Sequence, residues 1–523
     1  MKAEAMACVE QCASDVVLTP ELHAIVSTDV AAGETLKIEA AAGSGKSTAL
    51  RLFAEHRRDR HILYLTFTKA EAKAKQADYA RRGLDHVVVS TLHARAFAAT
   101  EDLHGGHVVE SSRFQAADAA RLTSTSAVEW TAARRDALGC AFAAFLASDV
   151  DEPCAVHVEC GVPDRVELLD AARAIWRAVC EGTAGLPLTH DMYLKLCAVH
   201  ADRRERMFGN AELVLLDEAH DCTEAQIALA TAPGRSWGTV VVYDFHQRIY
   251  GWRRAAKAAY IHALPAIAIR ALTCSWRFGG ALASLAARLL TGHTGQRVSI
   301  ESSAEHETRI VEVAAAPFVR VCGVGRELTV VARTRRSLFN AAMAGLATEA
   351  VERVVFGDSA DGAYSMFGGR DQLLDTFALY MGRARHDMAD PEGRMAQFAE
   401  VGYAQFRQAA FNSGWQEAVE ACTAVETFNR ALPGLVRKLD AAMRSSSSQV
   451  LVLATVHEAK GREWPHVYAD PDLRRITFTG ENADEVLYRL NLMYVAMTRA
   501  RTVLYLPTPV VGSWLRMLGI DSV

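Results

Sequence analysis

The residues best suited to chemistry lie in the run Ala42-Gly43-Ser44-Gly45-Lys46-Ser47-Thr48, which follows the apolar stretch Leu36-Ala41 and leads into a helical pattern. Glycines let backbone N–H groups close around phosphate oxygens at a helix N-terminus; Lys46 adds a mobile positive charge, and the Ser47 hydroxyl is a ligand for Mg²⁺. Strand, loop and helix in this order form the context of a Walker A loop, although Ala40 occupies the motif's first glycine position. A glycine-lysine turn after a strand is a serious competing reading for the pattern alone. A second element weighs against it: the run Glu212-Leu216 ends in Asp217-Glu218. One carboxylate there can hold Mg²⁺ through water while its neighbour activates the attacking water, which assigns Asp217 to the metal and Glu218 to the base. An acidic pair by itself more often caps the next helix. Together with the loop, it predicts hydrolysis of a nucleoside triphosphate.

Two such segments must be carried by a common scaffold. Apolar runs of strand length recur at Leu36-Ala41, Ile62-Phe67, Val87-Ser90, Leu213-Asp217, Val240-Asp244, Leu328-Ala332, Val450-Thr455 and Val503-Leu506. Helical periodicity at Ser47-His56, Lys69-Arg82, Thr223-Ala232, Gly280-Leu290 and Leu487-Ala500 alternates with them, so the fold class expected is α/β with doubly wound parallel sheets. The strands fall into two groups, and each group is interrupted by a long, mostly helical stretch. The expected organisation is a first sheet domain at 1–100 and 199–271 with a helical insertion at 101–198, then a second at 272–355 and 446–523 with a reduced insertion at 356–445. The serine run Ser445-Ser448 reads as a joint re-entering the second sheet domain.

Composition bounds the partners. A chain of 523 residues, half of them hydrophobic, suits two to four compact domains. With 57 Lys+Arg against 62 Asp+Glu, the net charge of -5 gives no global attraction to phosphate backbones, so nucleic acid would need a local groove. Eleven scattered cysteines and no signal-peptide pattern read as reduced thiols in a cytoplasmic protein. No apolar run reaches the roughly 18 residues of a membrane span. The spacing Cys154-x-x-His157-x-x-Cys160 invites a metal, with Cys140 and Cys180 as further ligands, but buried thiols beside a surface histidine are the leading reading.

Further motifs carry a family resemblance. Leu65-Thr66-Phe67-Thr68-Lys69-Ala70, Ser90-Thr91-Leu92-His93, Asp217-Glu218-Ala219-His220-Asp221 and Asp244-Phe245-His246-Gln247-Arg248-Ile249-Tyr250-Gly251-Trp252-Arg253 occur in order in the first half. Leu272-Thr273-Cys274-Ser275-Trp276-Arg277-Phe278, Thr455-Val456-His457-Glu458-Ala459-Lys460-Gly461-Arg462-Glu463-Trp464 and Tyr494-Val495-Ala496-Met497-Thr498-Arg499-Ala500 follow in the second. This series resembles the superfamily 1A helicases of the UvrD/Rep group, and within it the F-box DNA helicase branch. The resemblance spans most of the chain and implies two RecA-like domains, each with an accessory insertion. It also implies ATP as the nucleotide, Gln247 as γ-phosphate sensor, and Arg277 and Arg499 as arginine fingers from the second domain. Trp276 would stack on adenine and Glu463 contact the ribose.

For the nucleic acid, the resemblance implies stacking on Phe67, Tyr250 and Trp252 with Arg253 beside them, and phosphate contacts from Thr91, His93, Thr455 and His457. It implies 3′-to-5′ movement on single-stranded DNA and strand separation at duplex junctions, in replication, repair or recombination. An ATPase switch gated by nucleic acid within a larger complex is the alternative, and an inactive relative is disfavoured by the intact motifs. The chain departs from the pattern at three places. His220 stands where glutamine is usual, Leu22 stands where an adenine-reading glutamine precedes the loop, and Tyr488-Arg489 replace an acidic pair before the last motif. No segment reads as an F-box.

Overall fold

The computed structural model describes residues 18–508 apart from 105–129, 160, 183–187, 252–253, 295–296, 303–306, 314–326, 348–350, 358–359, 384–387, 390–394, 414 and 475–482. The chain divides into two compact units, Met1–Thr273 and Cys274–Val523.

In the first unit the strands are β1 (Thr35–Ala40), β2 (Ile62–Thr66), β3 (Val87–Thr91), β4 (Leu213–Leu216), β5 (Gly238–Tyr243) and β6 (Ala268–Leu272). They form one sheet in the order β3-β2-β4-β5-β1-β6, with every pair parallel. Central strands covered on both faces are apolar at nearly every position, and β2, β4 and β5 are buried throughout. Alternation separates two cores. Ile62, Tyr64, Leu213, Leu215, Val240 and Val242 pack with Leu50 and Phe53 of helix Lys46–Glu55. Leu63, Leu65, Val214, Leu216 and Val241 face the other way and share one continuous core with Phe142 and Phe145 of helix Ala132–Ala147 and Trp176 of helix Arg165–Cys180. The helical insertion therefore covers a face of the sheet.

The chain leaves β1 between β5 and β6 and returns at β2, on the far side of β4 and β5. Such a reversal opens a crevice beyond the carboxyl ends of the strands. The phosphate loop follows β1, Asp217-Glu218 follow β4, Asp244 follows β5, and Phe67 follows β2, so all four segments emerge at that one edge.

The second unit opens with a two-stranded parallel pair, β7 (Cys274–Ser275) and β8 (Glu301–Ser302). Its main sheet holds β9 (Arg309–Val313), β10 (Glu327–Ala332), β11 (Arg353–Phe356), β12 (Val450–Thr455), β13 (Trp464–Ala469) and β14 (Ala500–Pro507), ordered β11-β12-β10-β13-β14-β9 and again parallel. Pro465 lies in β13, where the register with β14 shifts between Trp464 and His466; an irregularity of this kind is where a strand tolerates proline. Phe367, Leu373, Val425, Leu432 and Val436 share a core with Val330, Leu451 and Leu453, so this insertion also rests on its sheet. A satellite core gathers Phe406, Ala410, Ala418 and Cys422. Among the described residues, no helix is long and apolar enough to cross a membrane.

Candidate nucleotide site and nucleic-acid interface

The phosphate loop begins where the ladder ends: Ala41 N–H still donates to Leu272 O at 2.8 Å. Gly43 (φ 72°) and Gly45 (φ 87°) then adopt left-handed backbone, which glycine reaches at no steric cost. Helix Lys46–Glu55 starts directly after this turn, with Gly45 at its N-cap. That helix has no side-chain cap and no acid in its first turn, whereas Thr19, Thr68, Thr91 and Thr223 cap other helices of the unit. An uncapped N-terminus keeps its partial positive charge for an anion. Ser44 supplies an independent sign: its side chain is buried and its Oγ has no hydrogen-bond partner among the described residues. A buried hydroxyl left unpaired costs roughly 1–3 kcal/mol, a cost that a phosphate oxygen accepting from it would remove. The loop fits a polyphosphate.

Across the loop, Lys46 Nζ lies 3.6 Å from Glu218 Oε1. Asp217 is buried; its Oδ1 accepts from Glu218 N–H at 3.0 Å and its Oδ2 from the Tyr64 hydroxyl at 2.7 Å. Burial, reinforced by the Asp217 charge, pushes the Tyr64 phenol well above its usual range, so it stays a donor. Lys75, on helix Lys69–Arg81, donates to Ser47 Oγ at 2.8 Å, to Tyr64 Oη at 2.9 Å and to Asp217 Oδ2 at 3.3 Å. Ser47 and Asp217, the residues assigned to Mg²⁺, are thus joined through one ammonium group, which touches Ser47 Oγ and Asp217 Oδ2. A hydroxyl and a carboxylate are suitable hard ligands for that ion. Glu71, one turn earlier, has its carboxyl raised first by burial and then by repulsion from Glu218 and Asp217. Sequence reasoning missed Tyr64 and Lys75. Tyr64 sits in an apolar strand run, and Lys75 is one of several lysines on a polar helix.

Glu218 itself has left-handed backbone, φ 53° and ψ 38°, in a residue type that rarely adopts it. It opens the 3₁₀ turn Ala219–Asp221. His220 in that turn is fully buried, and its Nε2 lies 3.0 Å from Glu218 Oε2. Its Nδ1 accepts Asp244 N–H at 3.0 Å. An acceptor at Nδ1 fixes the neutral tautomer with hydrogen on Nε2, the nitrogen facing Glu218. Asp244 in turn accepts from Gln247 Nε2 at 2.6 Å, and Gln247 is buried. Farther on, Ala256 N–H donates to Cys222 O at 2.7 Å. The segment 244–256 is therefore tied at both ends to the turn that carries the acid pair. Glu218, His220 and Asp221 place three ligand atoms within 4.8 Å of one another. The bond from Asp244 already accounts for one nitrogen of that histidine.

Of the stacking candidates, Phe67 and Tyr250 meet, with ring centroids 5.6 Å apart and planes inclined by 24°. Trp252 and Arg253 lie outside the described residues. Thr91 ends the edge strand β3 and Thr455 ends the internal strand β12. Each caps the following helix through its hydroxyl, which accepts from Ala94 N and Glu458 N at 3.2 Å. Their side-chain oxygens already have protein donors, and any phosphate contact would draw on the remaining hydroxyl hydrogen. His93 makes edge contacts with His190 and Tyr193 at 6.1 and 6.3 Å. His457 is on the short helix Val456–Ala459 after β12. Leu22 is buried in the first core. Its neighbour Glu21 instead takes Thr273 N–H and the Thr273 hydroxyl, the latter at 2.7 Å.

Within the second unit, three motifs converge on one guanidinium. Arg277 Nε donates to Glu463 Oε2 at 2.6 Å and its Nη1 to Thr498 O at 3.2 Å. Glu463, expected at the ribose, is here the partner of Arg277, with Arg501 Nε 3.7 Å from its other oxygen. Arg499 is fully buried and donates to Val495 O, Arg462 O and Thr498 Oγ1 at 2.8, 3.2 and 3.1 Å. Trp276 is half-buried beside them.

His157 of the Cys-His-Cys spacing is buried, not at the surface as expected. Its Nδ1 accepts from Cys154 N–H at 3.0 Å, its Nε2 meets Ser148 Oγ at 3.1 Å, and its ring packs edge-on to Phe145 at 5.6 Å. Burial lowers its basicity, which suits a neutral core histidine. Cys160 lies outside the described residues.

Comparison with known proteins adds an independent line. Residues 451–506, from β12 to β14, match the UvrD-like helicase C-terminal domain. F-box DNA helicase 1 of Gallus gallus is 25% identical over 522 residues, covering 93% of this chain and 49% of the relative. F-box DNA helicase protein 1 of Schizosaccharomyces pombe is 26% identical over 521 residues, covering 92% and 56%. The chain spans about half the length of these relatives.

Proposed function

We propose that this chain, a UvrD/Rep-type superfamily 1 helicase, hydrolyses ATP to move 3′-to-5′ along single-stranded DNA and to part duplexes at junctions. The observation that carries the ATPase part is the uncapped phosphate-loop helix with the buried, unpartnered Ser44 hydroxyl, set opposite Asp217 and Glu218. Lys46 and the loop N–H groups would bind the β- and γ-phosphates, with Lys46 leaving Glu218 as they arrive. Ser47 and Asp217 would hold Mg²⁺, which when bound neutralises charge on the phosphate oxygens. Glu218, oriented by His220, would take a proton from the attacking water. Arg277 and Arg499 are assigned to the transferring phosphoryl group on motif order alone.

Coupling to DNA would run through the anchored segment 244–256. A shift of Gln247 toward the γ-phosphate would be passed to Tyr250 along a few residues, because the segment is fixed to the acid-pair turn at both ends. Phe67 and Tyr250 supply the stacking faces. The polarity and the strand-separating role rest on likeness to the UvrD/Rep group.

The test is the ATPase rate with and without single-stranded DNA, beside strand displacement from 3′- and 5′-tailed duplexes, for wild type and Glu218→Gln. DNA-stimulated hydrolysis with displacement from the 3′-tailed substrate supports the proposal. Stimulated hydrolysis with neither displacement nor translocation would establish the gated switch instead. No hydrolysis with any nucleotide would overturn the catalytic assignment.

A further inference from the structure

We infer that Lys75 is a built-in occupant of the metal subsite: its ammonium bridges Ser47 and Asp217 until a divalent cation displaces it. The inference rests on the nucleotide-site reading above. The bridging distances, 2.8 Å to Ser47 Oγ and 3.3 Å to Asp217 Oδ2, come with a third bond to Tyr64 Oη at 2.9 Å. An ammonium has three hydrogens, and these three acceptors use them all. The group also lies 4.9 Å from the centre of the Tyr64 ring.

The arrangement answers an electrostatic need. Asp217 is buried, Glu218 is its neighbour in the chain, and burial followed by repulsion from both raises the Glu71 carboxyl. A buried carboxylate without a counter-charge is costly, so a site built to receive a dication is strained when the dication is away. Lys75 relieves that strain from within. Mg²⁺ takes oxygen ligands at about 2.0–2.1 Å, and a dication held by Ser47 with Asp217 beside it would repel an ammonium lying 2.8 Å from the Ser47 hydroxyl oxygen. Binding of the ion must therefore expel Lys75. The side chain can leave, because it is 20% exposed and sits on a helix whose one buried residue is Tyr79. The metal is then selected against an internal competitor, and metal-free nucleotide meets a site whose Ser47 and Asp217 are already engaged.

Displacement predicts a specific change in metal demand. Binding of a fluorescent, non-hydrolysable ATP analogue would be titrated with Mn²⁺ for wild type, Lys75→Met and Lys75→Arg, and repeated in EDTA. Lys75→Met is expected to lower the half-saturating Mn²⁺ concentration about tenfold, the scale of one lost charge-assisted contact, while Lys75→Arg keeps a cation and the wild-type demand. Affinity in EDTA should stay within about twofold, since Lys75 holds the metal's ligands and not the phosphates. Thermal unfolding gives a readout independent of nucleotide chemistry. Lys75→Met should melt lower than wild type without metal, and the gap should close with saturating Mn²⁺ and analogue. An unchanged or higher Mn²⁺ requirement in Lys75→Met, or lost affinity in EDTA, would overturn the inference. Wild type that binds no analogue under any condition would instead refute the nucleotide-site reading on which it rests.

Discussion

His220 offers the sharpest test of how Glu218, the proposed base, is held. In His220→Ala, Asp244 N–H loses the Nδ1 acceptor at 3.0 Å in a buried setting, and the half-buried Glu218 loses the imidazole 3.0 Å away. An orphaned buried N–H costs roughly 1–3 kcal/mol, and the vacated ring adds a cavity. About 2 kcal/mol would lower the melting temperature of a unit this size by about 4–8 °C. The larger effect should be on chemistry, because Glu218 would keep its carboxylate and lose its orientation. A positioned general base contributes about 10²–10⁴ in rate, so a loss of about tenfold to hundredfold in single-turnover hydrolysis is expected, with nucleotide affinity little changed. His220→Gln is the control. An amide carries an acceptor and a donor on one carbon, as the imidazole carries Nδ1 and Nε2, so glutamine can accept from Asp244 and donate to Glu218. It should restore both stability and rate. Hydrolysis by His220→Ala within about twofold of wild type in single turnover, or a His220→Gln protein as impaired as His220→Ala, would show that His220 does not position Glu218.

Tyr250→Ala should weaken single-stranded DNA binding by about 1–3 kcal/mol while leaving the salt dependence of binding and the DNA-free ATPase near wild type, since stacking releases no counterions; a changed salt slope by fluorescence anisotropy would contradict this. Ser44→Ala removes a buried hydroxyl that has no hydrogen-bond partner among the described residues. It should raise the nucleotide-free melting temperature, by up to about 1 kcal/mol of stability, and shrink the further rise on adding nucleotide. Equal nucleotide-induced rises in the two proteins would show that Ser44 does not touch phosphate. Lys195, held by Ser148 O and Val150 O at 2.6 and 2.7 Å, is brought by burial down to about 8 from its usual 10.5. Between these values the unfolded chain binds a proton that the folded one does not, so stability relative to Lys195→Met should grow as pH rises through that window. The growth should be on the order of 1 kcal/mol per pH unit. A pH-independent difference in urea unfolding would refute it.

The scaffold was legible where burial on both faces writes uninterrupted apolar runs: β1, β2, β4, β5, β10 and β12 lie within a residue or two of their expected bounds. Edge or irregular strands were harder to read. β6 alternates half-buried and exposed positions, β11 is short, and β13 contains Pro465, which argues against a central strand until the register shift beside it is seen. Local spacing picked out Lys46, Ser47, Asp217 and Glu218 as candidates, and the structure brings Lys46 within 3.6 Å of Glu218. Tyr64 and Lys75 were not recoverable this way. Their roles depend on β2 lying next to β4 and on one face of a neighbouring helix, contacts separated by 153 and 142 residues in the chain from Asp217. His220 was visible as a departure from the expected glutamine, but its bond from Asp244 N–H depends on β5 lying beside β4.

The left-handed backbone at Glu218 has a consequence for how this protein can change. A side chain in that conformation costs about 1–2 kcal/mol that glycine would not pay. Random substitution followed by selection for thermal resistance alone should therefore favour Glu218→Gly, and every such survivor would lack the carboxylate assigned to activating water. The position marks a conflict between durability and turnover, so a hardened form of this protein would have to find its stability elsewhere.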